Sequence, residues 1–125
     1  MFTIIFPVLN ERLRLENGVT RTVEYLQSIA FEDYEIIIVD NGSEDETPQI
    51  AEKLCKKYDK VRYERINVRG VGAAFRRGVE VSHGDVVGYM DIDLSTNIRH
   101  LGEAIHLFET QPEIQYINGL SLIHI

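Results

Sequence analysis

The chain of 125 residues has a single cysteine, Cys55, so an internal disulfide framework is excluded. Cys55 falls inside a helical pattern with no histidine near it in sequence, which fits a small core residue better than a reactive thiol. The apolar run over residues 2–9 contains Pro7 and is far shorter than the ~20 residues that span a membrane. No basic leader precedes it, so a signal peptide is not expected and a reducing, cytoplasmic setting is. Basic tracts are also missing, and the formal net charge is −7, which argues against nucleic acid as a partner. There is no internal repeat, low-complexity segment or linker, so one domain over residues 1–125 is expected.

What is present is ordinary for a globular protein: 44% hydrophobic and 26% charged residues, enough to build a core. An acidic chain that binds an anionic ligand needs a local remedy. A cation, a helix N-terminus or a few arginines can supply it.

Thr3-Ile4-Ile5-Phe6 is a continuous apolar strand of the kind buried on both faces, ending near Pro7. Leu15, Val19, Val23, Leu26 and Ala30 then make one helical stripe, with Gly18 blurring where that helix begins. Glu35-Ile36-Ile37-Ile38-Val39-Asp40 is the clearest strand and runs into a turn at Asn41-Gly42-Ser43. Ser43 with Glu46 has capping-box spacing, and Thr47-Pro48 suits an N-cap and first helical position. Residues 61–66 alternate, which places a strand near the sheet edge. Residues 69–74 open a helix whose small face (Val71, Ala74, Gly78, Val81) predicts close packing. Val86-Val87-Gly88-Tyr89-Met90 is a further strand, with Tyr89 read as core, and it runs into Asp91-Ile92-Asp93. If extended geometry persists there, both carboxylates share one side and Ile92 points back.

A helix with Ile98, Leu101, Ile105 and Phe108 on one face follows, capped by Thr96 or Asn97. Residues 114–117 suggest a fifth strand, and residues 120–125 an apolar tail, truncated or non-native. The alternation of strand and helix predicts an α/β fold: an open, Rossmann-like, mainly parallel sheet with helices on both faces. Ligands of such sheets bind beyond the carboxyl ends of the strands. That rule gathers Asn10-Glu11, the turn from Asp40 to Ser43, Arg69-Gly70-Val71-Gly72 and Asp91-Ile92-Asp93 on one edge. Arg76, one turn into its helix, is a candidate phosphate contact, whereas Arg77 and the four histidines are read as surface residues.

These four ordered segments resemble the nucleotide-binding half of a family 2 glycosyltransferase with the GT-A fold. Phe6-Pro7-Val8-Leu9-Asn10-Glu11 is similar to that family's Pro-x-x-Asn-Glu loop. The segment from Ile38 to Thr47 resembles its Val-Asp-Asp-Gly-Ser-x-Asp-x-Thr stretch. Gly70, Gly72 and Gly78 resemble its glycine-rich helix start, and Asp91-Ile92-Asp93 its DxD. The resemblance covers roughly residues 3–110 and leans toward the polyprenyl-phosphate glucosyl- and mannosyltransferases. It implies a nucleoside-diphosphate sugar as donor and a polyprenyl phosphate as acceptor. It also implies a base and ribose pocket from Pro7, Val8, Asn10, Glu11 and Asp40, and Mg²⁺ or Mn²⁺ on Asp93, with Asp91 beside ribose and metal. Asn41 departs from the family's second aspartate, which weakens any charged role there.

A nicotinamide-dependent dehydrogenase fits less well. Phe75 replaces the third glycine of a GxGxxG, and the motif follows the third strand rather than the first. A phospho-receiver domain lacks the acids it needs after its first and third strands. A nucleotide-binding module without turnover is the serious alternative, because the acceptor half expected after the DxD is nearly absent. The full-length protein is expected in the cytoplasm or at the cytosolic face of a membrane.

Overall fold

In a computed structural model, five strands and four helices alternate: β1 (Phe2–Val8), α1 (Leu15–Ser28), β2 (Tyr34–Asp40), α2 (Thr47–Lys57), β3 (Val61–Arg65), α3 (Val71–Val81), β4 (Val86–Tyr89), α4 (Arg99–Thr110) and β5 (Ser121–His124). The structure describes residues 1–68, 70–94, 98–110 and 121–124. Arg69, Thr96, Asn97, the strand expected over 114–117 and the side chains of Val71 and Phe108 lie outside the described residues.

The sheet order is β3-β2-β1-β4-β5. The first four strands run parallel, and β5 pairs antiparallel with β4. Residues 121–124, expected as a tail, therefore form an edge strand. The chain builds β1, β2 and β3 in one direction, then crosses back through α3 to lay β4 on the other side of β1. The switch point lies between β1 and β4.

Alternation along the buried strands divides the core. Ile4, Phe6, Val8, Ile36 and Ile38 pack with α1, α2 and α4 on one face, where Leu15, Val19, Leu26, Leu54 and Leu101 are buried. Ile5, Ile37, Val39 and Val87 face α3 through Ala74 and Phe75, with Tyr89 in the same cluster. Cys55 packs at the margin of the first core, as a small residue. Of the small face of α3, Ala74, Gly78 and Val81 pack against the second core as expected. A methyl group added at Gly78 would stand 2.4 Å from Ile5 Cδ1, so only hydrogen fits there.

Two of the boundaries that differ from the sequence reading have a clear physical reason. β1 continues through Pro7 to Val8. Ile5 O accepts from Met90 N on the β4 side, and Val8 O accepts from Asn41 N on the β2 side. Alternation therefore turns Pro7 toward β4, whose pairing with β1 has ended at Ile5–Tyr89, so the missing N–H costs no ladder bond. At the other boundary, α1 stops at Ser28 and Ala30 is exposed rather than part of the stripe. Ala30 takes φ 56° while its N–H bonds Gln27 O and the Phe31 N–H bonds Leu26 O. That is a Schellman ending with alanine where glycine is usual.

Candidate functional site

The carboxyl edge of the sheet is built by loops that hydrogen-bond one another. Asp40, the last residue of β2, has no exposed surface. Its Oδ1 accepts from the Gly42 and Ser43 amides at 3.0 and 2.7 Å. Its Oδ2 accepts from the Tyr63 hydroxyl at 2.6 Å and faces Arg65 Nη1 at 3.4 Å. Every acceptor position of the carboxylate is thus in use. Burial, and next the bond to Asp40, push the Tyr63 hydroxyl up to about 12. Arg65 also donates to Ser43 O at 2.9 Å, which ties β3 to the turn.

Ser43 and Thr47, the expected helix caps, do different work. Ser43 Oγ accepts from Asn10 N at 2.8 Å, and Thr47 Oγ1 accepts from Glu11 N at 2.9 Å. The Arg12 amide reaches Asp45 at 3.3 Å, and Asn10 Oδ1 accepts from Glu44 N at 2.8 Å. Glu46 is the N-cap of α2, and its own side chain makes no cap bond. A hydroxyl oxygen near a helix start bonds whichever orphan amide is closest, and here those amides come from the first loop. Asp45 instead supplies the local turn, accepting from Thr47 N at 2.9 Å.

Asn41 explains its own departure from aspartate. In the orientation that its neighbours dictate, its side-chain NH₂ donates to the carbonyls of Val68 and Gly70 at 3.1 Å each. A carboxylate there would place negative charge against two acceptors. Gly70 takes φ 124° at the start of α3, a conformation that favours glycine, and Gly42 takes φ 99°. Gly72 is exposed with open space where a Cβ would stand. Arg76 is exposed, whereas Arg77 is turned onto Glu64 and Glu80. Glu11 pairs with Arg14 at 2.8 Å, yet the buried Oε2 lies off the N–H direction and has no hydrogen bond.

At the end of β4 the chain leaves extended geometry after Tyr89. Residues 91–94 form a turn closed by Leu94 N to Asp91 O at 3.0 Å, with Leu94 at φ 56°. Ile92 still points inward and is buried, and Asp91 and Asp93 are exposed on either side of it. The inward Ile92 expected from strand alternation is thus placed by a turn and not by a strand. Its seat is Gly18 of α1: a Cβ there would stand 2.3 Å from Ile92 O and 2.8 Å from Ile92 Cδ1.

Hydrogen bonds therefore join the Asn10-Glu11, Asp40-to-Ser43 and Gly70 segments into one network, and α1 links the DxD turn to it. Sequence reasoning missed Tyr63, Arg65 and Gly18. Strand periodicity placed Tyr63 and Arg65 on one side of β3, and a glycine inside a helical stripe signals close approach. Among the described residues no group of three or more His, Cys, Asp or Glu is placed to hold a metal. No helix among them is long and apolar enough to cross a membrane.

The sequence pattern described as Glycosyl transferase family 2 matches residues 3–118. The chain belongs to glycosyltransferase family 2. Its relatives include the glycosyltransferase AglD of Haloferax volcanii, 39% identical over 105 residues that make up 82% of this chain and 17% of that protein. The dolichyl-phosphate beta-glucosyltransferase of Mus musculus is 34% identical across 98% of this chain and 41% of its own length. The dolichol-phosphate mannosyltransferase of Pyrococcus furiosus is 37% identical across 94% and 34%. The family 2 chain thus spans less than half the length of each. Among solved structures, the mannosyltransferase PcManGT of Pyrobaculum calidifontis, in complex with GDP-Man and Mn²⁺, matches with a TM-score of 0.74 at 20% identity over 93% of this chain and 35% of that one. A glucosyl-3-phosphoglycerate synthase of Mycobacterium tuberculosis, with Mn²⁺, UDP and phosphoglyceric acid, matches at 0.70 with 24% identity over 92% and 41%. These likenesses establish the GT-A fold.

Proposed function

We propose that this chain is the donor-binding half of a glycosyltransferase. In this reading it takes a nucleoside-diphosphate sugar of the UDP-glucose or GDP-mannose type and presents it to an acceptor such as a polyprenyl phosphate. The carrying observation is the hydrogen-bonded convergence of the Asn10-Glu11, Asp40-to-Ser43 and Gly70 loops on the sheet edge where the exposed Asp91 and Asp93 stand. The names of the relatives support the lipid acceptor, and the ligands of the solved neighbours support the donor and metal.

In this reading the loop from Pro7 to Glu11 lines the base and ribose, with Val8 supplying backbone. Asp40 holds the Gly42 and Ser43 amides in place on the floor of the pocket. A base N–H that reaches its carboxylate replaces Tyr63 or Arg65. Gly70, Gly72 and Arg76 at the start of α3 offer amides, the positive helix end and a guanidinium to the diphosphate. Asp91 and Asp93 are hard oxygen donors suited to Mg²⁺ or Mn²⁺, and two carboxylates leave most of the coordination shell to phosphate oxygens and water. When bound, the cation neutralises charge that the nucleoside diphosphate gains as the sugar–oxygen bond breaks. An acceptor phosphate is already ionised at neutral pH, so no strong general base is needed for in-line attack on the anomeric carbon with inversion.

The short span relative to the relatives favours a second reading, in which these residues by themselves bind donor without turnover. Calorimetric titration of UDP-glucose and GDP-mannose, with and without Mn²⁺, tests the donor site. Metal-dependent binding that Asp93→Ala weakens at least ~10-fold is expected. Absence of binding by both donors in the presence of Mn²⁺ refutes the proposal.

A further inference from the structure

We infer that Gly18 is a positioning residue for the DxD turn, an assignment that rests on the donor-site reading above. The turn from Asp91 to Leu94 lies past the end of β4, so no neighbouring strand fixes it. What fixes it is Ile92, buried between two exposed acids and seated on α1. The contact is through backbone as much as side chain. A Cβ on Gly18 would stand 2.3 Å from Ile92 O, 2.8 Å from Cδ1 and 3.0 Å from Cγ1. Side-chain atoms can rotate away from such a clash, but the carbonyl oxygen cannot move without turning the peptide between Ile92 and Asp93. That peptide carries the Asp93 backbone.

The helix side of the seat is held firmly. Gly18 is buried, its N–H bonds Arg14 O at 2.9 Å, and its carbonyl accepts from the Thr22 hydroxyl at 2.8 Å. The same helix begins at the nucleotide loop, where the Arg14 and Leu15 amides bond Glu11 O at 3.0 and 2.9 Å. One helix is therefore tied to Glu11 at its start and carries the Ile92 seat one turn in. Gly18 sets the DxD carboxylates in register with the Asn10-Glu11 loop, and any side chain at 18 turns them out of it.

Gly78 provides a matched control. A Cβ there meets Ile5 Cδ1 at 2.4 Å and Cγ1 at 2.8 Å, an equally tight contact made on the other face of the sheet and with side-chain atoms, where Gly18 meets a backbone carbonyl. Mn²⁺ affinity in the presence of UDP or GDP, followed by the electron paramagnetic resonance signal of free Mn²⁺, is compared for wild type, Gly18→Ala, Gly78→Ala, Ile92→Ala and Asp93→Ala. Circular dichroism fixes a temperature at which each is folded. The expected result is ~10-fold weaker Mn²⁺ binding for Gly18→Ala and for Ile92→Ala, which empties the seat without overpacking it, and unchanged affinity for Gly78→Ala. If Gly18→Ala does not fold, Ile92→Ala against Gly78→Ala decides. Wild-type affinity in Gly18→Ala or Ile92→Ala, while Asp93→Ala loses binding, overturns the positioning role alone. If wild type and Asp93→Ala bind Mn²⁺ equally, the donor-site reading itself fails.

Discussion

Two buried acids stand at opposite ends of β2, and on opposite faces of the sheet. Glu35 faces α3 at the amino edge, and Asp40 faces α2 at the carboxyl edge. Each carboxylate gathers neighbouring segments. Glu35 accepts from the Thr3 hydroxyl at 2.8 Å, from Arg62 at 2.8 Å and from the backbone of His83, with His83 Nδ1 at 3.2 Å. Asp40 accepts from Gly42, Ser43, Tyr63 and Arg65. The chemistry is the same, and the surroundings differ. Around Asp40 the backbone is bent into unusual conformations: of five described residues with positive φ, Asn10, Gly42, Gly70 and Leu94 lie on the carboxyl edge and only Ala30 on the amino edge. Exposed acids stand at both edges, Asp91 and Asp93 at one and Asp33 and Asp85 at the other, where both pair with the Met1 ammonium. A buried carboxylate network thus marks an organised edge at either end of β2, and the loops of positive φ set apart the carboxyl edge, the one proposed above to bind.

The largest expected effect separates the two acids. Asp40→Ala leaves two amides, a phenol and a guanidinium without their shared acceptor. It is expected to cost about 3–5 kcal/mol of stability in urea unfolding and to lower nucleotide affinity as well. Glu35→Gln is expected to cost about 1–3 kcal/mol and to leave Mn²⁺-nucleotide affinity unchanged. If Glu35→Gln weakened that affinity as much as the Asp40 change, the contrast between the edges would collapse.

Acid titration sharpens the same contrast. Burial raises the Glu35 carboxyl's pKa, but the hydrogen bonds from His83, Thr3 and Arg62 outweigh it and hold the value below the usual glutamate range. A depressed folded value means that stability is fully present above the unfolded value, about 4.3, and is lost as pH falls through the folded one. Thermal melts of wild type are expected to fall more steeply below about pH 4.3 than those of Glu35→Gln.

The smallest effect lies at the alkaline end. With its value near 12, the neutral Tyr63 phenol contributes stability below its ordinary value of 10.0, and this is lost as pH rises through about 12. Tyr63→Phe is expected to cost about 1.5 kcal/mol at neutral pH and to flatten the alkaline decline in unfolding midpoints.

Much of this was legible from residues alone. The β-branched run over 36–39 marked a buried strand, and the acids and glycines after each strand marked one edge. The small face of α3 foretold the contact of Gly78 with Ile5. The failures share a cause: local pattern does not reveal long-range partners. Ser43 and Thr47 have cap spacing, but their oxygens are taken by Asn10 and Glu11, more than thirty residues earlier. Asn41 looked like a weakened aspartate until Val68 and Gly70 supplied its acceptors. Residues 121–124 had no visible partner until β4 provided an open edge.

The central claim is that the carboxyl edge, and not the amino edge, holds the metal and nucleotide. Paramagnetic broadening of backbone amide NMR signals by Mn²⁺ with UDP or GDP tests it most directly. The account predicts loss of signal from Asn10, Glu11, Gly42, Ser43, Gly70 and the turn from Asp91 to Leu94. Thr3, Glu35, Arg62 and His83 are expected to stay sharp. Broadening that is strongest at Glu35 and His83, or spread evenly over both edges, would contradict it.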